Sequence, residues 1–233
     1  MTDTQSLHSL PLFPLNTVLF PEGLLSLQVF EVRYLDMVRK CQHAGAPFGV
    51  VALQLGHEVR KAGSKVEQLH AEGVLAHITQ LDSPQSGLLH LQCKGTQRFH
   101  IQHCWQLPHG LWVADVNMLP ADPKVAVPPH LRSTAYALAQ ALLNLHGHDP
   151  DHAQLPTPEQ MHDCAWVANR WAEMLPLPVR IKQQLMTLDA PLLRLDAGAK
   201  YLQATVRPVA VRGIDNEKRR QVVALVRCLR AYV

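Results

Sequence analysis

The sequence contains no apolar run able to cross a bilayer. Its longest stretches free of Asp, Glu, Lys and Arg, such as residues 4–21, are broken by proline and by Gln, His, Ser or Asn, which excludes a transmembrane helix. A basic region ahead of an apolar segment is also missing, since the first Lys or Arg is Arg33 and Asp3 stands near the start, so no secretory signal is read and a cytoplasmic protein is expected. Five cysteines (Cys41, Cys93, Cys104, Cys164, Cys228) are scattered without a C-x-x-C pair, which predicts reduced, packed thiols and no disulfide. Glycine is scarce at 12 of 233 residues, no low-complexity tract occurs, and 47% of residues are hydrophobic, so a disordered chain is excluded and a substantial core is expected.

Catalytic signatures are missing as well. Gly63-Ser64-Lys65 lacks the earlier glycine that a phosphate-cradling G-x-x-x-x-G-K-[ST] loop needs, and the seven serines include no G-x-S-x-G turn. Neither an ATPase nor a peptidase is expected, nor any cofactor. Ligand-type residues crowd at His146, His148, Asp149, Asp151, His152, His162, Asp163 and Cys164, but Gly147 and Pro150 make this a solvated loop rather than a metal site. His100 and His103, three apart on a predicted strand, are expected on opposite faces.

What is present changes character midway. Residues 1–120 read as β-favouring runs separated by turn signals: 16–20, 24–30, 48–55, 73–81, 88–94, 97–107 and 111–119, with Gly95-Thr96 among the expected turns. Seven short strands in this length predict a closed or nearly closed barrel. One helix interrupts them over residues 31–43, with Val32, Leu35, Met37 and Val38 as its inner stripe and Gly45 as its stop. Pro11 and Pro14 suggest that the first apolar segment is an irregular edge strand.

Residues 121–130 carry Pro123, Pro128 and Pro129 and read as a proline-rich linker. Residues 131–233 then show helical patterns over 131–145, 158–175, 179–188, 191–205 and 217–232, with Thr157 as a cap before Pro158. The fold class is therefore α+β, a β barrel with one helix followed by a C-terminal helical bundle. The net charge of +3 conceals an asymmetry: residues 200–233 hold eight basic and two acidic residues, +6 against −3 for the rest (14 basic, 17 acidic). Four arginines of the last helix, Arg219, Arg220, Arg227 and Arg230, oppose an apolar stripe, the pattern of a wet helix face; binding of nucleic-acid phosphates is the less favoured reading.

Leu10-Pro11-Leu12-Phe13-Pro14-Leu15-Asn16-Thr17-Val18-Leu19-Phe20-Pro21, then Leu27-Gln28-Val29-Phe30-Glu31-Val32-Arg33-Tyr34 and Phe48-Gly49-Val50-Val51, resemble the N-terminal substrate-recognition domain of Lon-type ATP-dependent proteases. Gly73-Val74-Leu75-Ala76-His77-Ile78, Gly95-Thr96-Gln97-Arg98-Phe99, Val113-Ala114-Asp115-Val116 and Lys182-Gln183-Gln184-Leu185-Met186 follow in the expected order, and the likeness is strongest to small bacterial proteins made of that domain alone. The pattern departs at Glu22, between Pro21 and Gly23. The resemblance implies a PUA-like β pseudobarrel followed by a helical bundle. It also implies a non-enzymatic protein that binds unfolded or apolar polypeptide segments, with a separate protease or chaperone as a further partner, no membrane, and RNA binding as the alternative.

Trp105 and Trp112 flank the Pro108-His109-Gly110 turn and are the candidate peptide-binding residues, able to stack on each other or to form an apolar patch beside the helical half. Of Trp166 and Trp171, five apart, one is expected in the core and the other more exposed. Arg98, on a strand beside Phe99, reads as a partly buried guanidinium that wants a carboxylate, with Glu31 as one candidate.

Overall fold

A computed structural model describes residues 5–56, 67–148 and 155–206, and the chain divides into two compact units, Met1–Ala121 and Asp122–Val233. The first unit runs β1 (Ser6–Leu15), β2 (Leu24–Val29), α1 (Val32–Ala44), β3 (Phe48–Leu55), β4 (Gln68–Gln85), β5 (Leu88–Gln106) and β6 (Trp112–Met118). The described strands join in the order β2-β5-β4-β3-β1-β6, and a further pairing of β5 with β6 closes the last five into a barrel. Alternating side chains of β1, β3, β4, β5 and β6 fill it, among them Leu12, Val51, Leu75, Phe99, Ala114 and Val116.

One strand replaces two expected ones. The Gly95-Thr96 pair makes no turn, and β5 continues through it for 19 residues. Gly95 is needed for a different reason: a Cβ there would lie 2.3 Å from the Phe20 carbonyl oxygen. The backbone of the Phe20–Gly23 turn docks at that point, with Glu22 donating to Gly95 (2.8 Å) and Gly95 donating to Gly23 (2.8 Å). Beyond it β5 changes partner, from β2 (Leu24 opposite Lys94) to β6 (Phe99 opposite Met118). Gly49 and Gly73 serve the core in the same way, because added Cβ atoms would stand 2.8 and 2.6 Å from the Phe99 ring.

Nor is the first segment an edge strand over 16–20. β1 lies between β6, antiparallel over Ser6 to Leu12, and β3, parallel over Leu12 to Leu15. Only Leu12 is paired on both sides, so Pro11 and Pro14 each sit where one side of the strand is open and a missing donor costs little. Val18, Leu19 and Phe20 are buried without being a strand. In α1 the inner face is Arg33, Tyr34, Leu35, Met37, Val38 and Cys41, while Val32, expected inside, is 72% exposed.

The second unit holds α2 (Arg132–His148), α3 (Pro158–His162), α4 (Cys164–Met174), α5 (Val179–Thr187) and α6 (Pro191–Val206), with a short 3-10 turn at Pro129–Leu131. Thr157 caps α3 in a capping box with Gln160. The expected helix over 158–175 breaks at Asp163, whose extended backbone bridges Ala126 and whose carboxylate caps α4 through the Ala165 amide at 3.0 Å. The segment rich in proline is thereby tied to this unit, with Cys164 donating to Val125 and His162 accepting from Val127. Trp166 and Trp171 are both core residues, and the Trp171 indole donates to the Thr134 carbonyl at 3.1 Å. The expected helix over 217–232 and its arginines lie outside the described residues, as do Asp149, Asp151 and His152.

A buried guanidinium organises the helices. Arg194 of α6, 1% exposed, donates to both oxygens of Asp122 (2.7 and 3.2 Å), to Asn169 of α4 (2.7 Å) and to the Leu188 carbonyl after α5. Arg194→Ala leaves Asp122 without this partner and should cost about 3–5 kcal/mol in urea unfolding, against about 0.5 kcal/mol for a surface arginine.

The departure at Glu22 also has a conformational reading. Glu22 adopts φ 61° in the turn closed by the Gly23 amide on the Phe20 carbonyl (3.0 Å), a left-handed position that favours glycine. Glu22→Gly should therefore be more stable than Glu22→Ala by about 1 kcal/mol, read from paired denaturant melts, since both remove the same side chain.

Candidate functional site

β2 pairs with β5 and with no other described strand, so among the described residues its outer edge is open. Open edges are ordinarily guarded by charge, proline or a bulge. Here residues 24–30, Leu-Leu-Ser-Leu-Gln-Val-Phe, carry no charge and no proline, and the pairing with β5 runs through six residues without a register shift.

Beside this edge lies a cavity of about 180 Å³ walled by Phe13 and Leu15 of β1, Leu27 and Val29 of β2, and Tyr34 of α1. Its floor is rigid core: the Phe13 and Tyr34 rings are 4.1 Å apart, and Phe48 backs Phe13 at 6.2 Å. Its rim carries Phe30, 56% exposed, with Val32 exposed just beyond. Exposed large apolar side chains next to an unguarded edge are the kind of surface that monomeric domains bury or use.

Glu31 joins rim to floor. It caps α1 from extended backbone with no side-chain cap bond, and its Oε2 instead accepts from Arg33 Nε at 3.1 Å with Nη2 at 3.0 Å. Arg33 is buried, donates Nη1 to the Gly110 carbonyl at 2.8 Å, and lies 4.5 Å over the Tyr34 ring. The expected Glu31 partner, Arg98, is buried on β5 opposite Val74, and the nearer Arg33 takes the carboxylate. Sequence reasoning placed Glu31 inside the helix and so missed that, as its extended N-cap, Glu31 reaches forward to Arg33 in the first turn. The signal available was Glu31-Val32-Arg33, two opposite charges within two residues at the start of a helix.

Trp105 and Trp112 do not stack on each other. Trp105 lies opposite Val113 and Trp112 opposite Gln106, so successive pairs place the two indoles on opposite faces of the β5–β6 ribbon. Trp112, half-buried, packs on the barrel core, and its indole donates to Glu67 at 2.6 Å; Gln106 reaches the same oxygen at 3.5 Å. Trp105 is also half-buried and stacks on His103 with centroids 5.3 Å apart.

His100 and His103 share one face, against expectation, because a bulge between Ile101 and His103 inserts one extra residue and sets them opposite Asn117 and Asp115. Among the described residues no group of His, Cys, Asp or Glu could hold a metal ion. The Cys93 thiol is pushed up to about 12 by burial, with Cys41 nearby adding to it, which makes it inert as a nucleophile.

Asp115 has a structural task, accepting from the Ser9 amide at 3.0 Å where β1 bulges with Ser9 at φ 53°. That amide, with help from His8, holds the Asp115 carboxyl below the ordinary aspartate value. Stability from this bond is complete above the ordinary value and is lost as pH falls through the depressed one. Asp115→Asn should therefore show a shallower fall of Tm on acidification than the parent, measured by thermal melts across the acid range.

No helix among the described residues is long and apolar enough to span a membrane. No curated protein matches the sequence. Among solved structures, the chain is similar to the crystal structure of a Lon N-terminal domain protein from Xanthomonas campestris, at 31% identity and a TM-score of 0.64, covering 84% of this chain and 99% of that one. The N-terminal domain of a Mycobacterium avium complex Lon protease shares the fold at 16% identity and a TM-score of 0.54, covering 84% and 97%. Residues 9–226 match the model of the substrate-binding domain of ATP-dependent protease La (Lon), which contains neither the ATPase nor the peptidase part, and the chain belongs to that family.

Proposed function

We propose that this chain is a non-enzymatic polypeptide-binding protein that holds unfolded or apolar segments without ATPase or peptidase chemistry of its own. The observation that carries the reading is the unguarded edge of β2 beside an apolar cavity. At about 180 Å³ the cavity is below the ~300–1,000 Å³ of small-molecule sites, and the chemistry around it is one carboxylate already bonded to an arginine. An extended chain suits both features: its backbone bonds the edge and its side chains enter the cavity. The family match supports the same reading. A separate protease or chaperone would be the recipient of such a bound segment, and a PUA-like, cytoplasmic protein is the setting we assign to it.

The two tryptophans enter the proposal separately. Trp105, partly exposed beside His103, is a candidate second contact for a client, whereas Trp112 is occupied with Glu67 and acts through the stability of the barrel.

Fluorescence anisotropy with labelled denatured casein tests the reading. Binding with Kd of about 1 μM or weaker, little changed by salt, is expected; absence of binding at the highest soluble concentration overturns it. Preferential binding of mixed RNA, lost steeply as salt rises, would replace it with the nucleic-acid alternative. Trp105→Ala should weaken casein binding with an unchanged Tm, while Trp112→Ala should lower stability by about 1–3 kcal/mol by stripping a hydrogen bond from the buried Glu67.

A further inference from the structure

Resting on the polypeptide-binding reading, we infer that the client of the β2 edge is an extended segment, uncharged and alternately apolar over the six residues facing Leu24–Val29, with a basic residue at the end beside Glu31. Four observations converge on this chemistry. The open edge presents backbone donors and acceptors at strand spacing, which an extended segment matches and a helix, with its backbone groups already bonded, does not.

All four of Ser26, Leu27, Gln28 and Val29 border the cavity, and their burial alternates: Leu27 and Val29 are half-buried and buried while Ser26 and Gln28 are exposed. A paired client strand follows the same period, so every second side chain enters the cavity and the others lie over polar neighbours. Apart from Glu31 the cavity lining carries no charge, and neither do residues 24–30, so a charged client side chain placed away from Glu31 would lose water without gaining a partner.

At the end of the cavity the chemistry changes. Arg33 engages Oε2 of Glu31, and among the described residues no donor reaches Oε1. Glu31 is 23% exposed, open enough for a client side chain to approach this oxygen. A lysine or arginine fits it; an acidic residue is repelled. The same feature argues against a second copy of this chain as the occupant, because residues 21–32 contain no Lys or Arg to offer Glu31.

The test uses the full chain and labelled peptides of alternating Val and Thr with a Lys at each end. Two further versions carry N-methyl groups on alternate backbone nitrogens in opposite phase, and a third replaces each Lys by Glu. One N-methyl phase should lose about tenfold in affinity, the worth of one or two hydrogen bonds, while the other binds as the parent does. The Lys-to-Glu peptide should bind several-fold more weakly, and Glu31→Gln, checked for an unchanged fold by circular dichroism, should abolish that difference.

Equal affinity of both N-methyl phases and the parent overturns strand pairing while leaving casein binding, and hence the broader reading, intact. Equal affinity of the Lys and Glu peptides overturns the role of Glu31. A protein that sediments as a dimer, becomes monomeric with Gln28→Lys and ignores every peptide gives the edge to a second copy and overturns the inference. Failure to bind casein as well is the failure of the broader reading.

Discussion

The first unit depends on one strand serving three neighbours. β5 pairs with β4 from Leu88 to His100, with β2 from Leu89 to Lys94 and with β6 from Phe99 to Gln106, and the exchange from β2 to β6 follows Gly95. Closure needs the β6 pairing, while the open edge exists because β2 branches off before closure begins. A sheet that closed completely would have no edge to offer, and a fully open one would expose two. The exchange requires the Phe20–Gly23 turn to press its backbone against β5, leaving no room for a side chain at Gly95. Barrel closure and the candidate site are therefore two results of the same close approach.

Among the buried arginines, Arg194 and Arg33 are used differently. Arg194 is surrounded by Asp122, Asn169 and the Leu188 carbonyl, and ties three parts of the helical unit into one core. Arg33 links the start of α1 to the hairpin tip at Gly110 and stacks on Tyr34, so it holds the cavity wall in place from behind. Burying a guanidinium is costly unless its donors are met, which favours the positions where it can join several elements at once. In both cases the arginine acts as a cross-link between elements that hydrophobic contact alone would leave free to slide.

How much of this was legible in the sequence follows from what kind of physics set each feature. Period-two and helical patterns report burial, and they located β2, β3, β6, α1, α5 and α6 to within a few residues. Gly95-Thr96 was misread because a glycine that admits another backbone looks, in one dimension, like a glycine that turns. The bulge beyond Ile101 and the left-handed Glu22 leave no trace in hydropathy; both are answers to how distant segments meet. Arg98 is buried more fully than expected, and its candidate partner Glu31 is instead bonded to Arg33, two residues on in the first turn of α1, which local geometry brings close without any help from the fold. The candidate peptide residues were chosen for size. The register of β5 and β6, which separates Trp105 from Trp112, is a pairing fact no local pattern encodes.

The β2 edge was visible as a strand but not as an edge, since openness is a property of what fails to pair. Its surroundings divide into parts that can and cannot change. Phe13 and Tyr34 form the cavity floor but are themselves core, 7% and 3% exposed, so altering them for a new client would also remove packing from the barrel. Ser26, Gln28, Phe30 and Val32 are exposed, and substitutions there alter what a client meets with little effect on the fold. Hydrogen bonding along the edge recognises only that a segment is extended, whatever its side chains. In the proposed binding mode the cavity selects apolar side chains, and further selectivity comes from the rim and from Glu31, where change leaves the barrel core untouched or exchanges one polar group for another.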